Sequence, residues 1–105
     1  ISPGSITYYP EDGPIEDWRN SLLITSMKNG ALYRCPLSED KKQVQGYTKI
    51  YFHSANRYRV SRLHPDGKII YIATDTGGPV MGLDGKPTKE LANKGAIIKF
   101  EYIEK

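Results

Sequence analysis

The chain predicts an all-β protein built of antiparallel strands. Two observations carry that expectation. Helical periodicity is almost absent, while short β-branched and aromatic runs recur between turn signals along the 105 residues. Two of those runs are joined by Asn29-Gly30 and two more by Asp66-Gly67, pairs that favour tight hairpins.

Taken in order, the first strand is expected over 5–9 (SITYY), followed by the turn-rich segment PEDGPIEDW. SLLITS (21–26) and ALYRCPL (31–37) flank MKNG, where Asn29-Gly30 is expected to form a two-residue turn with positive φ. A polar loop over 38–46 leads to YTKIYF (47–52). The second half repeats the theme with RYRVSRL (57–63), the turn HPDG, KIIYIAT (68–74) and AIIKFEYI (96–103). Between the last two lies a loop over 75–95 with five glycines and two prolines, and a loop of that length is usually functional or mobile. Seven hairpin-connected strands suit a sandwich, a barrel or part of a β-propeller. In the last case they make about two blades, one of them short of a strand and leaving edges to be paired.

Composition excludes several classes. A formal charge of +3 arises from 15 basic and 12 acidic residues scattered along the chain, which is a poor footprint for nucleic acid. A small basic barrel stacking single-stranded nucleic acid on its tyrosines is a remote alternative. No apolar run approaches the roughly 20 residues of a membrane span. The lone Cys35 cannot form an internal disulfide. The opening ISPGSITYYPEDG has no initiator methionine and no targeting pattern, and is expected to belong to a mature or excised piece of something longer.

The candidate chemistry sits in few places. Arg57 and Arg59 alternate along one strand and so project to one face, with Tyr58 and Val60 facing the other way. Adjacent guanidinium groups repel unless an anion lies between them, and their planar fork suits a carboxylate; the alternative is a solvated strand edge. Lys28, at a hairpin tip, reads by itself as a solvated charge. His53 and His64 lack neighbours at metal-ligand spacing, and Trp18 and the eight tyrosines are expected to pack between sheets. Asp75 and Asp84 lie in a glycine-rich stretch that departs from a calcium-loop pattern, so a plain flexible loop is expected. Asp75-Thr76-Gly77 has the tripeptide of aspartic proteases without the second carboxylate such an enzyme needs.

Three stretches, DWRNSLLITSMKNGALYRCPL, SANRYRVSRLHPDGKIIYIATDTGG and NKGAIIKFEYIEK, together resemble the C-terminal part of the soluble quinoprotein glucose dehydrogenases, the glucose/sorbosone dehydrogenase family. The most specific parts are the Asn-Arg-Tyr-Arg run and the lysine hairpin that precedes it. The resemblance implies two blades of a six-bladed β-propeller, with residues 1–105 forming the C-terminal segment of a dehydrogenase domain that pairs with the rest of the propeller.

It also implies pyrroloquinoline quinone (PQQ), a flat ortho-quinone with three carboxylates, which takes hydride from the anomeric carbon of an aldose such as glucose. Lys28, Arg57 and Arg59 match cofactor-contacting positions. The family's catalytic histidine and calcium ligands fall outside this chain, so no catalytic or metal-binding residue is assigned and the segment alone is expected to be inactive. A periplasmic or secreted location follows from the resemblance. The chain departs from the family pattern at Arg62, an added charge, and between Ser38 and Tyr47, where the loop is shorter. The competing reading is a non-catalytic β-propeller-type module that binds carbohydrate or a protein. The unpaired edges predict self-association in isolation.

Overall fold

The computed structural model describes residues 3–103. Its strands are β1 (Pro3–Tyr9), β2 (Ser21–Ser26), β3 (Ala31–Pro36), β4 (Lys49–Tyr51), β5 (Tyr58–Leu63), β6 (Ile69–Thr74), β7 (Val80–Met81), β8 (Pro87–Thr88) and β9 (Ile97–Glu101). The only helical element among the described residues is one 3-10 turn, Glu16–Trp18. The all-β antiparallel expectation is therefore met, and all seven expected strands are present, β4 and β9 shorter than the sequence suggests.

Strands β1 to β4 form a four-stranded meander in sequence order, and β5, β6 and β9 form a second, three-stranded sheet. Expected as one long loop, residues 75–95 instead hold the small β7–β8 hairpin. This segment, here called the strap, leaves β6 at Asp75 and returns to β9.

The sequence explains how the sheets face each other. Where β1 lies against β5 the side chains are small and hydroxylated: the Ser61 amide donates to Ser5 Oγ at 3.1 Å, and Thr7 Oγ1 lies 3.1 Å from Ser61 Oγ. On the far side of the sheets the contact is aromatic. Phe52, just after β4, stacks on Phe100 of β9 with ring centroids 3.9 Å apart, and Trp18 meets Tyr9 and Tyr51 edge-on. Small residues at one seam and rings at the other make the two sheets splay, and the wedge is filled by Tyr9, Ile15, Trp18, Leu23, Leu32, Tyr58, Ile70 and Ile72.

The tyrosines divide. Tyr9 and Tyr58 are fully buried and Tyr51 partly so, whereas Tyr47 is 93% exposed. Burial raises the pKa of the Tyr9 hydroxyl, which is satisfied by donating to Gly67 O at 2.6 Å and accepting from the Ile15 amide at 2.9 Å.

The β2–β3 turn differs from the expected two-residue form, whereas the β5–β6 turn falls on HPDG as the sequence suggests. In the β2–β3 hairpin Ser26 pairs with Ala31, so residues 27–30 form the loop and only Gly30 takes positive φ (58°). Asn29 is held out of the left-handed region by its own bonds, its amide donating to Ser26 Oγ and its side chain to Tyr33 Oη. In the β5–β6 hairpin the Gly67 amide donates to His64 O, closing a turn with Pro65 at its second position, and Gly67 alone is left-handed (φ 74°).

Candidate functional site

Arg57 immediately precedes β5, and the register slips between Tyr58 and Val60, leaving Arg59 as the extra residue of a β-bulge. Tyr58 is buried between them, anchored by its hydroxyl to Phe52 O at 2.6 Å. The burial that holds this ring also raises its pKa. A buried Tyr flanked by two outward arginines gives the pair a rigid base.

The anion expected between the arginines is present, and it belongs to the chain itself. Asp75 Oδ2 accepts from Arg57 Nε at 3.1 Å and Oδ1 accepts from Arg59 Nη1 at 3.0 Å. Burial of the Asp75 carboxyl, 11% exposed, works to raise its pKa, but the hydrogen bonds and charges of both arginines prevail and hold it below the ordinary carboxylate range. From the sequence Asp75 reads as a member of a flexible loop. The available signal was its position one residue after β6, the strand paired with β5, where the Asp75 amide donates to Arg57 O at 3.0 Å.

The two arginines are not equivalent. Arg57 is only 20% exposed and is held by the strap and the β2–β3 loop: Nη1 donates to Pro79 O, Nη2 lies 3.9 Å from Met27 Sδ, and Gly78 packs close to the guanidinium. A Cβ at Gly78 would lie 2.8 Å from Arg57 Nε, so a residue without a side chain is required there. Arg59 is 70% exposed, and among the described residues Nη1 is the guanidinium nitrogen that is engaged. Arg57 is thus a fixed plate and Arg59 an open donor.

Lys28 joins this corner through the backbone. Its carbonyl accepts from the Met81 amide at 2.7 Å, which ties the β2–β3 loop to the strap, while the side chain is exposed. Gly30 permits the approach: a Cβ there would lie 2.0 Å from Ser54 O and 2.6 Å from Asn56 O. The three sequence candidates therefore border the strap, Arg57 and Arg59 through side-chain contacts with Asp75 and Lys28 through its backbone. Two guanidinium groups against one carboxylate leave a local excess of one positive charge, which suits an anionic ligand.

Other candidates lie elsewhere. His53 is exposed, and His64 Nδ1 sits 3.1 Å from Asp66 within its own turn. Asp84 Oδ1 accepts from the Lys86 amide, closing its turn. Arg62 is exposed. Among the described residues no three His, Cys, Asp or Glu side chains gather as a metal site, and no helix is long and apolar enough to cross a membrane. A groove of about 410 Å³ lies between the sheets, lined by rings including Trp18, Tyr51, Phe52 and Phe100, apart from the residues of the arginine corner.

Comparison with known proteins points the same way as the motifs. The family model for glucose/sorbosone dehydrogenase matches residues 1–82, a range that includes Lys28, Arg57, Arg59 and Asp75 and ends inside the strap. The chain is 40% identical over 88 residues to quinoprotein glucose dehydrogenase B of Acinetobacter calcoaceticus. That alignment covers 84% of this chain and 18% of the relative, so the chain spans less than a fifth of that protein's length.

Proposed function

The chain belongs to the glucose/sorbosone dehydrogenase family, and from that premise we propose that it forms the cofactor-holding corner of a PQQ-dependent sugar dehydrogenase. The observation that carries this reading is the division of labour between the arginines. Arg57, wedged among Asp75, Gly78, Met27 and Pro79, presents a fixed guanidinium plane against which a flat ring can stack. Arg59, and Lys28 at the tip of the neighbouring loop, hold exposed donors for the carboxylates of such a ring.

Bound PQQ would supply a two-electron acceptor for the hydride removed from the anomeric carbon of an aldose. This chain's residues bind and orient. Asp75 cancels one positive charge and keeps the two arginines from repelling each other. The strap shields Arg57 from water, which strengthens its electrostatic interaction with an anionic partner. The base that takes the sugar's proton and the calcium ligands are assigned to the remainder of a larger propeller, so this chain alone is inactive. The same reading places the protein in the periplasm or outside the cell. The free edges of β4 and β9 then pair with the rest of that propeller, or with a second copy in its absence.

One observation favours a second reading. Asp75 already satisfies the arginine pair, so the corner stands without any ligand and could equally brace a non-catalytic module that binds carbohydrate or protein. Sugar-dependent dye reduction by the full-length protein, with PQQ and calcium added, separates the two. Loss of activity in Arg57→Ala/Arg59→Ala, partly restored by excess PQQ, supports the cofactor corner. Full activity in the double variant removes the arginines from the cofactor, and inactivity of both proteins favours the binding module.

A further inference from the structure

The strap's two ends are fastened by a partly buried polar network next to the arginine corner. Asn56, directly before Arg57, is fully buried. Its Oδ1 accepts from the Asn93 amide at 2.7 Å, and its Nδ2 donates to Ser54 Oγ at 2.9 Å and to Asn93 Oδ1 at 3.2 Å. Asn93 O in turn accepts from Thr74 Oγ1, and the same hydroxyl accepts from the Ala96 amide at 2.9 Å. The neighbouring backbone closes the ring, with Ala92 N donating to Ala55 O and Gly95 N to Asp75 O, both at 2.9 Å.

A fully buried amide must be paired, since a polar group left alone there keeps its whole desolvation cost. Asn56 makes three bonds, two of them to one strap residue, and can make those two only while the strap is docked. The other end of the strap supplies the bonds that fix Arg57, through Asp75 and Pro79 O. Residue 56 therefore senses strap closure and residue 57 depends on it.

We propose that Asn56 is a positioning residue: its buried amide locks the strap through Asn93 and so holds the guanidinium of Arg57 in the orientation that receives the cofactor. This rests on the PQQ reading above. It also distinguishes the two asparagines. Asn56→Ala removes all three bonds, whereas Asn93→Ala keeps the strongest, because that one comes from the Asn93 backbone amide.

The test is equilibrium PQQ binding to the full-length apoprotein, read by fluorescence, together with limited trypsin digestion at Lys89 and Lys94 in the strap. Asn56→Ala is expected to weaken PQQ binding by about tenfold or more and to speed strap cleavage, with Asn93→Ala changing both by only about two- to threefold. Ile70→Ala, a core change distant from the strap, serves as the control for general destabilisation. It is expected to lower Tm by at least as much while leaving PQQ affinity within about twofold. Sugar KM at saturating PQQ is expected to stay the same in Asn56→Ala.

Faster strap cleavage with unchanged PQQ affinity in Asn56→Ala overturns the positioning role, as does an Ile70→Ala protein that loses affinity equally. If Asn56→Ala fails to fold, an Asn93→Ala protein with wild-type cleavage and wild-type affinity overturns it too. Failure of the wild type to bind PQQ removes the cofactor reading itself, and the positioning proposal with it; wild-type binding with unaffected variants removes the proposal alone.

Discussion

The loops at 27–30 and 65–68 have nearly the same signature, a polar residue and a glycine between two alternating apolar runs, and they dock on different parts of the molecule. Residues 65–68 dock on the two ends of the chain: the Gly67 carbonyl accepts from Tyr9 Oη at 2.6 Å, a Cβ at Gly67 would lie 2.6 Å from Pro14 Cδ, and the Lys68 carbonyl accepts from the Tyr102 amide at 2.7 Å. Asp66 Oδ1 accepts from the Lys68 amide at 2.8 Å, and that bond is the main reason the Asp66 pKa is lowered, with His64 helping. Residues 27–30 close on distant parts of the chain: Gly30 abuts Ser54 and Asn56, Met27 touches Arg57, and Lys28 bonds to Met81. Similar local chemistry becomes a turn that seats a core tyrosine in one place and part of a candidate binding corner in the other. The difference is made by what packs against the loop.

The sharpest way to break this contrast is Gly30→Ala. The methyl would collide with two backbone carbonyls at a positive φ, so a loss of about 3 kcal/mol or more is expected in urea unfolding of the full-length protein. A loss under about 1 kcal/mol would show that the loop is free to move away, as a self-contained turn would be.

Next in size is the comparison of Arg59→Ala with Arg62→Ala. Both residues are exposed, but only Arg59 meets Asp75. PQQ affinity is expected to fall about tenfold or more in the first and to change less than about twofold in the second. Equal effects would make the contribution one of general charge.

Acid titration separates Asp75 from Asp66. Both carboxyls have folded pKa values below the unfolded value of about 3.9. Each therefore contributes stability that is present above that value and disappears as pH falls through the folded pKa. Asp75 is mostly buried between two cations, whereas Asp66 is exposed. Asp75→Asn is thus expected to cost more stability at neutral pH than Asp66→Asn and to flatten the stability profile more below about pH 4. Chemical denaturation at pH 3, 4, 5 and 7 gives the answer, and a larger flattening in Asp66→Asn would reverse the assignment.

The smallest effect belongs to Lys28→Ala. Its side chain is exposed, so stability is expected to stay within about 0.5 kcal/mol while PQQ binding weakens. A variant with wild-type affinity would return Lys28 to the status of a solvated charge.

Much of this molecule was legible in its residues. Alternating apolar runs and glycine-containing turns determined an all-β chain with seven principal strands, because the two-residue period of a strand is written directly in side-chain order. Arg57 and Arg59 were legible as a same-face pair that meets either an anion or solvent, and the Asn-Arg-Tyr-Arg run marked the candidate site through the family resemblance. Which of the two the pair meets could not be read locally. Asp75, 18 residues from Arg57, is placed by the pairing of β6 with β5. The strap's small β7–β8 hairpin is stabilised by docking on the loop at 27–30 rather than by any strong strand pattern of its own. Asn56 looks like any loop asparagine until Asn93 arrives 37 residues later. Local order follows from backbone sterics and side-chain periodicity; the partners of buried charges and amides are decided only when distant segments meet and must satisfy one another.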